Sequence, residues 1–203
     1  MTELEALYAQ ITSCESCGLC KTRTHAVPGE GPANAEIMFV GEGPGFHEDQ
    51  QGRPFVGQAG VFLEDLLGSI GLTRADVYIC NVIKCRPPAN RDPLPNEVDS
   101  CRPYLLKQIE LIDPALIVTL GRFSLSWFFP RDAISKVRGR LRQLNNRHFY
   151  HLYHPAAALH NGSLRQVIVE DFARIPQALD KIRERQPVAA AAAEASVEQG
   201  RLF

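Results

Sequence analysis

The sequence of residues 36–60, EIMFVGEGPGFHEDQQGRPFVGQAG, decides the fold class of this chain. An apolar run at residues 37–40 predicts a buried β-strand, and three of the next five residues are glycine. Glycine lets a backbone turn sharply and approach a bound group, and open α/β sheets bind ligands at such turns. The stretch lacks the glycine signatures of dinucleotide sites and P-loops. It therefore predicts an α/β fold with another kind of ligand site, and a plain strand-to-helix turn is the alternative.

The charge of the 203-residue chain is nearly balanced, at a formal −1, but it is unevenly distributed. No acidic residue lies between Asp132 and Glu170. The basic residues of this segment are Lys136, Arg138, Arg140, Arg142, Arg147 and Arg165. A segment of one sign on a nearly neutral protein predicts a surface that faces phosphates. A solvated loop is the alternative interpretation.

The sequence also limits where the protein works. It has no apolar run of the ~18 residues that a membrane-spanning helix needs, and residues 1–10 do not resemble a signal peptide. We therefore expect a cytoplasmic protein with no membrane partner. In such a chain, six cysteines favour metal or redox chemistry over disulfides.

Strand and helix patterns alternate along the chain. Strands are predicted at residues 37–40, 77–83, 115–120 and 149–153. Helices are predicted at residues 4–11, 61–70, 95–111, from Gly121 onward, and at 167–183, where Pro176 disturbs the pattern. This alternation predicts a parallel sheet covered by helices on both faces. Residues 1–185 form the predicted domain, and the alanine-rich residues 186–198 form a predicted linker.

The cysteines fall into two groups. Cys14 and Cys17 form a Cys-x-x-Cys pair, and Cys85 and Cys101 flank a proline-rich segment after the second strand. Two thiolates at this short spacing reach one metal, and a distant pair completes four ligands. Zinc and an iron–sulfur cluster both suit such a set, and reduced buried cysteines are the alternative. The two remaining cysteines are Cys20, near the first pair, and Cys80, a predicted core residue.

Two polar residues lie at the ends of predicted strands, on the sheet edge of the glycine turn. A buried amide at Asn81 can offer a donor and an acceptor to the edge of a base. His154 ends the fourth strand, and Pro155 fixes the turn that follows it. For each residue a purely structural role is the alternative.

Five motifs occur in a fixed order: GEGPG, GRPFVG, NVIKCRPP, VRG and HPA. Together with the four paired cysteines, they resemble the family-four uracil-DNA glycosylases, bacterial and archaeal enzymes with a four-iron cluster. The resemblance covers about residues 1–180. It implies a three-layer α/β/α sandwich with a four-stranded parallel sheet. It also implies a structural 4Fe–4S cluster on Cys14, Cys17, Cys85 and Cys101, which leaves Cys20 and Cys80 free.

The implied activity is the hydrolysis of the bond between uracil and deoxyribose in single- and double-stranded DNA. This reaction leaves an abasic site and begins base excision repair. It implies a nucleoid-associated protein, and we expect a monomer. Enzymes that act on a base inside a duplex must first flip the nucleotide into a pocket.

The resemblance assigns roles in base recognition. Phe55 stacks on the flipped base. Asn81 forms hydrogen bonds with N3–H and O4 of uracil, whereas cytosine has its donor and acceptor exchanged at these two positions. A buried amide group left unpaired costs ~1–3 kcal/mol, which accounts for the discrimination. Glu48 excludes the methyl group of thymine.

The resemblance also assigns the chemical step. His154 donates a hydrogen bond to uracil O2 as negative charge develops there. Gly43 stands where better-known glycosylases carry a water-activating Asp, so Glu42 is the candidate base and electrostatic stabilisation alone is the alternative. Backbone N–H groups near Glu42 and Gly43 add to an anion-stabilising site.

The contacts with DNA are expected at basic residues and at one apolar side chain. The expected phosphate contacts are Lys84, Arg86, Lys136, Arg138, Arg140 and Arg142. Leu159, in a loop after His154, is the residue expected to fill the space that the flipped base leaves.

The final residues 199–203, QGRLF, resemble the short Q-x-x-L-F peptide with which bacterial repair and replication proteins bind the sliding clamp. A disordered tail is the alternative. For the whole chain, the alternative function is an iron–sulfur or zinc DNA-binding module without glycosylase activity. An electron carrier leaves GRPFVG, Asn81 and HPA unexplained. A relative that attaches covalently to the abasic sugar would need a histidine in residues 88–92, which read PANRD.

Overall fold

A five-stranded sheet forms the centre of the computed structural model, which describes residues 1–184. The strands are β1 (Ile37–Gly41), β2 (Tyr78–Asn81), β3 (Leu116–Leu120), β4 (Leu141–Leu144) and β5 (Arg147–Leu152), in the order β2-β1-β3-β5-β4. β2, β1, β3 and β5 are mutually parallel and correspond to the four predicted strands. The predicted linker and clamp peptide lie outside the described residues.

The fifth strand, β4, corrects the predicted strand count. It pairs antiparallel with β5 at the edge of the sheet, within the basic segment for which no strand was predicted before residue 149. Asn145 and Asn146 join the two strands with φ angles of 49° and 59°. Two successive residues with positive φ form the hairpin turn that suits twisted strands, and asparagine tolerates this conformation. The Asn-Asn pair was the signal for a hairpin in the sequence.

The helices cover both faces of the sheet. They are α1 (Glu3–Thr12), α2 (Phe46–Gln51), α3 (Gln58–Ser69), α4 (Pro95–Ile112), α5 (Gly121–Phe128), α6 (Ile134–Val137), α7 (Pro155–His160), α8 (Ser163–Phe172) and α9 (residues 175–184). α8 and α9 replace the single helix predicted at residues 167–183. Pro176 lies in the first turn of α9, where its missing N–H costs no hydrogen bond. None of the helices in the described part of the chain is long and apolar enough to cross a membrane.

Two hydrophobic cores lie on opposite faces of the sheet. On β1, Ile37 and Phe39 pack into the core beneath α3, α8 and α9, and Met38 and Val40 pack into the core beneath α1, α4 and α5. A strand of a parallel sheet that is buried on both faces has such a continuous apolar sequence. The predicted α/β/α sandwich is confirmed as a class.

The β4–β5 turn gives a direct test of backbone strain. Asn146→Val should lower the free energy of unfolding by ~1–2 kcal/mol, because a β-branched residue resists positive φ. Asn146→Gly is the matched control and should stay within ~0.5 kcal/mol of the wild type. Urea unfolding of the three proteins measures the difference. Equal stability of the two variants would contradict the assigned turn.

Candidate active site

The carboxyl ends of β1, β2 and β5 meet at a cavity of about 400 Å³. All six residues predicted from the sequence as catalytic or base-binding line it: Glu42, Gly43, Glu48, Phe55, Asn81 and His154. These residues come from the turn after β1, from α2, from the loop after α2, from the end of β2 and from just after the end of β5. The parallel sheet brings them together because the carboxyl ends of its strands share one edge.

Phe55 forms one wall of the cavity in an unusual backbone conformation, with φ at 52°. Its ring stacks on His154 at 5.4 Å between ring centres and an angle of 24°. Two glycines make room for it. A Cβ on Gly60 would lie 1.9 Å from the Phe55 carbonyl oxygen, and one on Gly41 would lie 2.8 Å from the ring.

Arg74 supports this strained loop, although it was not among the residues predicted from the sequence. Its guanidinium donates to the carbonyl oxygens of Pro54 at 2.6 Å and Phe55 at 2.9 Å. Glu30 accepts from Arg74 at 3.2 Å and from Arg53 at 2.7 Å. Positive φ at a bulky residue persists only where its surroundings hold it. No motif marks Arg74, because its partners are main-chain atoms 19 and 20 residues away.

Asn81 ends β2 and is 2% exposed. Its side-chain oxygen is buried and has no hydrogen-bond partner among residues 1–184. Most buried polar atoms in folded proteins are paired, so an unpaired one beside a cavity indicates a place for a ligand atom. A Cβ on Gly41 would lie 2.4 Å from this oxygen, so only glycine fits opposite the amide.

Glu48 lies in α2, the short helix that follows the glycine turn. One carboxylate oxygen accepts from the backbone N–H groups of Val56 and Gly57, both at 2.9 Å, and the other accepts from Gly45 N–H at 3.2 Å. These contacts join the GEGPG turn to the GRPFVG loop. They also fix the carboxylate as a rigid part of the cavity wall.

His154 faces the cavity as a neutral hydrogen-bond donor. Its Nδ1 accepts from Ala156 N–H at 3.1 Å, which leaves the ring proton on Nε2. Burial lowers the pKa of His154 to about 4, against an opposing effect of Glu48. The imidazole is therefore uncharged at neutral pH and needs no proton from solvent to donate through Nε2.

Glu42 and Gly43 follow β1 and line the cavity. Burial raises the pKa of Glu42, and Asp92 raises it further, whereas Arg122 lowers it. A raised pKa makes a carboxylate a stronger base. A Cβ on Gly43 would lie 2.6 Å from Ile83, so this position accepts no side chain without a shift of Ile83.

The four paired cysteines lie in one region, at the core beneath α1, α4 and α5, and all are free thiols. Cys14 and Cys17 contribute to raising the pKa of Cys85, and Cys17 and Cys85 contribute to raising the pKa of Cys101. The four cysteines are therefore neighbours. Arg23 donates to the Cys85 sulfur at 3.0 Å. Within residues 1–184, no group of three or more His, Cys, Asp or Glu side chains lies in positions that would hold a metal ion.

The thiols nevertheless fit a thiolate-bound group by their chemistry. Burial raises the pKa of Cys101 to about 11 and raises that of Cys85, so both are protonated at neutral pH. Burial also opposes ionisation of Cys14, but hydrogen bonds from Ser16 and Tyr104 outweigh it and lower its pKa. A bound metal supplies the positive charge that deprotonates such thiols.

Lys84 is a correction to the predicted DNA contacts. Its side chain is 1% exposed, and its ammonium group donates to the carbonyl oxygen of Asn81 at 2.7 Å and to Gln108 Oε1 at 2.6 Å. A group so enclosed cannot reach a phosphate. Its charge predicted an exposed side chain, but in the folded protein the side chain is buried between β2 and α4.

The basic segment after Asp132 is less positive than its sequence predicts. Arg138 pairs with Asp171 at 2.5 Å, and Arg142 pairs with Asp132. Two more of its basic residues pair with acidic residues from other elements: Arg147 with Asp113 and Arg165 with Asp65. The charge of the segment alone does not indicate these pairs, because the acidic partners lie outside it. Lys136 and Arg140 are exposed and have no ion pair within residues 1–184.

Arg86 and Leu159 lie near the cavity. Arg86 is half-buried, donates to Asn90 Oδ1 at 2.7 Å and lies over the exposed ring of Phe46. Leu159 is 44% exposed. It belongs to α7, not to a loop, because Pro155 at the first position and the His154 cap begin a helix there.

Comparison with known proteins agrees with this geometry. A model of the uracil DNA glycosylase superfamily matches residues 28–175. The chain belongs to that superfamily.

Its relatives include proteins named type-4 uracil-DNA glycosylase. The Saccharolobus solfataricus protein is 47% identical over 189 residues, which cover 88% of each chain. The Sulfurisphaera tokodaii protein is 48% identical over 86% of this chain and 84% of its own. The Thermotoga maritima protein is 44% identical over 88% of this chain and 95% of its own. The resemblance to the family-four (type-4) glycosylases is confirmed.

The neutral, half-buried His154 predicts a pH dependence of stability. Its pKa is about 4 in the folded protein against 6.5 ordinarily, so between these values the unfolded chain binds a proton that the folded chain does not. Stability should be full above pH ~6.5 and fall toward pH 4, by up to ~1.4 kcal/mol per pH unit from this residue.

Urea unfolding between pH ~4.5 and ~7 measures this slope. His154→Gln should reduce the slope, whereas His160→Gln, at an exposed position, serves as the control. The same slope in all three proteins would contradict a lowered pKa of His154 in the folded state.

Proposed function

We propose that this chain is a uracil-DNA glycosylase that hydrolyses the N-glycosidic bond of uracil in single- and double-stranded DNA. The observation that carries the proposal is the unpaired buried oxygen of Asn81, which shares one cavity with Phe55 and the neutral His154. This set offers a stacking face, an amide edge and an uncharged donor, which are the elements that bind a flipped pyrimidine. Superfamily membership and the names of the relatives support the same reaction.

Base recognition falls to Asn81, Phe55 and Glu48. The Asn81 amide would accept from uracil N3–H and donate to O4, and cytosine presents the opposite pattern at these two positions. Phe55 would stack on the base, because its ring is held against His154. Glu48, locked by three backbone N–H groups, would form the wall against a 5-methyl group.

His154 and Glu42 would act on the breaking bond. His154 would donate through Nε2 to uracil O2, and a donor fixed in a water-excluding site stabilises developing negative charge strongly. Glu42 would accept a proton from the attacking water, since its pKa is raised and it lines the cavity. The proton removed from water thus goes to Glu42, and the electron pair of the broken bond goes to uracil.

The cofactor in this proposal is a 4Fe–4S cluster held by Cys14, Cys17, Cys85 and Cys101. Its function would be structural, because it would tie the segment after α1 to the segment after β2 and to α4. The interactions of Cys85 and Cys101 with neighbouring thiols and the similarity to type-4 relatives support it. Cys20 and Cys80 would stay free.

The DNA contacts proposed are Lys136, Arg140 and Arg86 at phosphates and Leu159 as the wedge. The exposure of Lys136, Arg140 and Leu159 supports this assignment, as does the contact of the half-buried Arg86 with Asn90, which lines the cavity. The clamp peptide at residues 199–203, the linker at residues 186–198, the monomeric state and the nucleoid location stay predictions.

The proposal is tested with the purified protein and uracil-containing single- and double-stranded oligonucleotides, followed by alkali cleavage of abasic sites. Strand cleavage above a uracil-free control is expected. Its absence from a protein that contains iron and binds DNA would favour the DNA-binding module without glycosylase activity. Iron and zinc analysis of the same preparation separates the two metals.

The first functional prediction concerns Asn81. Asn81→Asp should lower the single-turnover rate on uracil and raise the ratio of cytosine to uracil excision, because a carboxylate offers no fixed donor to O4. Asn81→Ala should cost uracil excision at least ~10-fold. A wild-type single-turnover rate for Asn81→Ala would remove Asn81 from base recognition.

The second functional prediction concerns His154. His154→Ala should slow the single-turnover step by roughly 100-fold or more, while affinity for uncleaved DNA changes little, because its hydrogen bond strengthens only as charge reaches O2. Single-turnover assays and binding titrations give the two numbers. Loss of affinity without loss of rate would indicate a structural or phosphate-binding role.

The third prediction separates exposed from paired basic residues. Replacing Lys136 and Arg140 by Gln should flatten the logarithmic salt dependence of duplex binding by ~0.9 for each phosphate that is no longer neutralised. Arg138→Gln should instead lower stability, because it leaves the buried Asp171 with only the longer Arg174 ion pair. A salt slope that depends on Arg138 but not on Arg140 would contradict this division.

A further inference from the structure

Lys84 is the most enclosed cation of the described chain, and the proposed reaction gives it no task. It lies at 1% exposure between β2 and α4. Its two hydrogen bonds, to the Asn81 carbonyl oxygen and to Gln108 Oε1, are both donated, so they form whether the amine carries two or three protons. Burying such a group is costly unless it is hydrogen-bonded.

The Asn81 carbonyl needs a partner because β2 is an edge strand. Along this edge, Ile79 exchanges both of its backbone hydrogen bonds with Glu30, outside the sheet. Two residues further, the Asn81 carbonyl points the same way, since backbone groups alternate direction along a strand. No strand among residues 1–184 reaches it, and the Lys84 ammonium takes the place of the missing neighbour.

The other side of Lys84 is anchored by a buried polar chain. Gln108 accepts from Lys84 and donates to Tyr78 OH at 2.8 Å and to Pro28 O at 2.7 Å. Tyr78 OH in turn lies 2.7 Å from Tyr8 OH of α1. The backbone of Lys84 is held as well, because its carbonyl accepts from Val27 N–H at 2.7 Å.

We propose that Lys84 is a positioning residue for base recognition: it fixes the end of β2 so that the Asn81 amide faces the cavity. The inference deepens the proposed glycosylase function and rests on it. The Asn81 side-chain oxygen has no hydrogen bond to hold it, so its placement depends on the main chain. Lys84 is the group that holds that main chain from outside the sheet.

Lys84→Met tests the proposal, because methionine keeps an unbranched chain in the buried space and removes the Nζ group that donates both hydrogen bonds. The single-turnover rate on uracil should fall by roughly 10-fold to 100-fold, and the ratio of uracil to cytosine excision should fall with it. Binding to uracil-free DNA and its salt dependence should equal those of the wild type, since Lys84 touches no phosphate.

Tyr78→Phe is the matched control for a purely structural effect. It breaks the same buried chain at the Tyr8 and Gln108 contacts and leaves the bond from Lys84 to Asn81 in place. Its stability should fall while its single-turnover rate, measured well below its unfolding temperature, stays within about 2-fold of the wild type. A rate loss in Tyr78→Phe equal to that of Lys84→Met would overturn the proposal.

A double-mutant cycle with Asn81→Ala decides whether Lys84 acts through the amide. Asn81→Ala keeps the backbone carbonyl that Lys84 binds, so adding Lys84→Met should cost less than about 2-fold more in rate. An additive loss would overturn the proposal. If Lys84→Met does not fold, Gln108→Leu takes its place, because it removes the other acceptor of Lys84. Gln108→Leu should cause a smaller loss of rate, and this loss should likewise not add to that of Asn81→Ala. A wild-type rate for Gln108→Leu would overturn the proposal.

The wild-type protein, assayed beside these variants, separates the role of Lys84 from the glycosylase function itself. An inactive wild type would end the proposed function. An active wild type with an unimpaired, folded Lys84→Met variant would end only the role of Lys84.

Discussion

The parallel register that pairs Gly41 with Asn81 is the constraint on which the candidate site depends. It brings the glycine turn after β1 beside the end of β2, at the edge where β5 delivers His154. The close approach works only because Gly41 has no side chain, since a Cβ there would meet both the Asn81 oxygen and the Phe55 ring. A shift of one residue would turn the Asn81 side chain to the opposite face of the sheet.

The site keeps polar groups buried without satisfying all of them. Asn81 lacks a partner for its oxygen within the described chain, His154 is held neutral by burial, and Glu42 has a raised pKa for the same reason. Each arrangement costs stability in the free protein. Hydrogen bonds that hold the surrounding backbone offset that cost. Glu48 accepts from three backbone N–H groups, and Arg74 donates to two backbone carbonyls.

Charge was the property that the sequence predicted least well. Lys84 and Arg138 were expected at the DNA surface, and both instead have buried acceptors within residues 1–184. Gln108 and Asp171 lie 24 and 33 residues from the groups they bind, so no local window contains the pair. Lys136 and Arg140, from the same run of positive charge, stay exposed because no such acceptor reaches them in that part of the chain.

The sequence by itself determined the elements and the chemistry available to them. Apolar runs buried on both faces defined four strands, and the fixed order of GEGPG, GRPFVG, NVIKCRPP and HPA indicated the family and the six residues that line the cavity. These features are local, so periodicity and residue type reveal them. Tertiary structure alone decided which charges are exposed and that Arg74 and Lys84 bind main-chain carbonyls around the cavity. The exposed charges depend on acidic side chains far away in the sequence. The carbonyl contacts depend on how the chain folds back on itself, because every residue has the same carbonyl group and residue type does not mark the one that is bound.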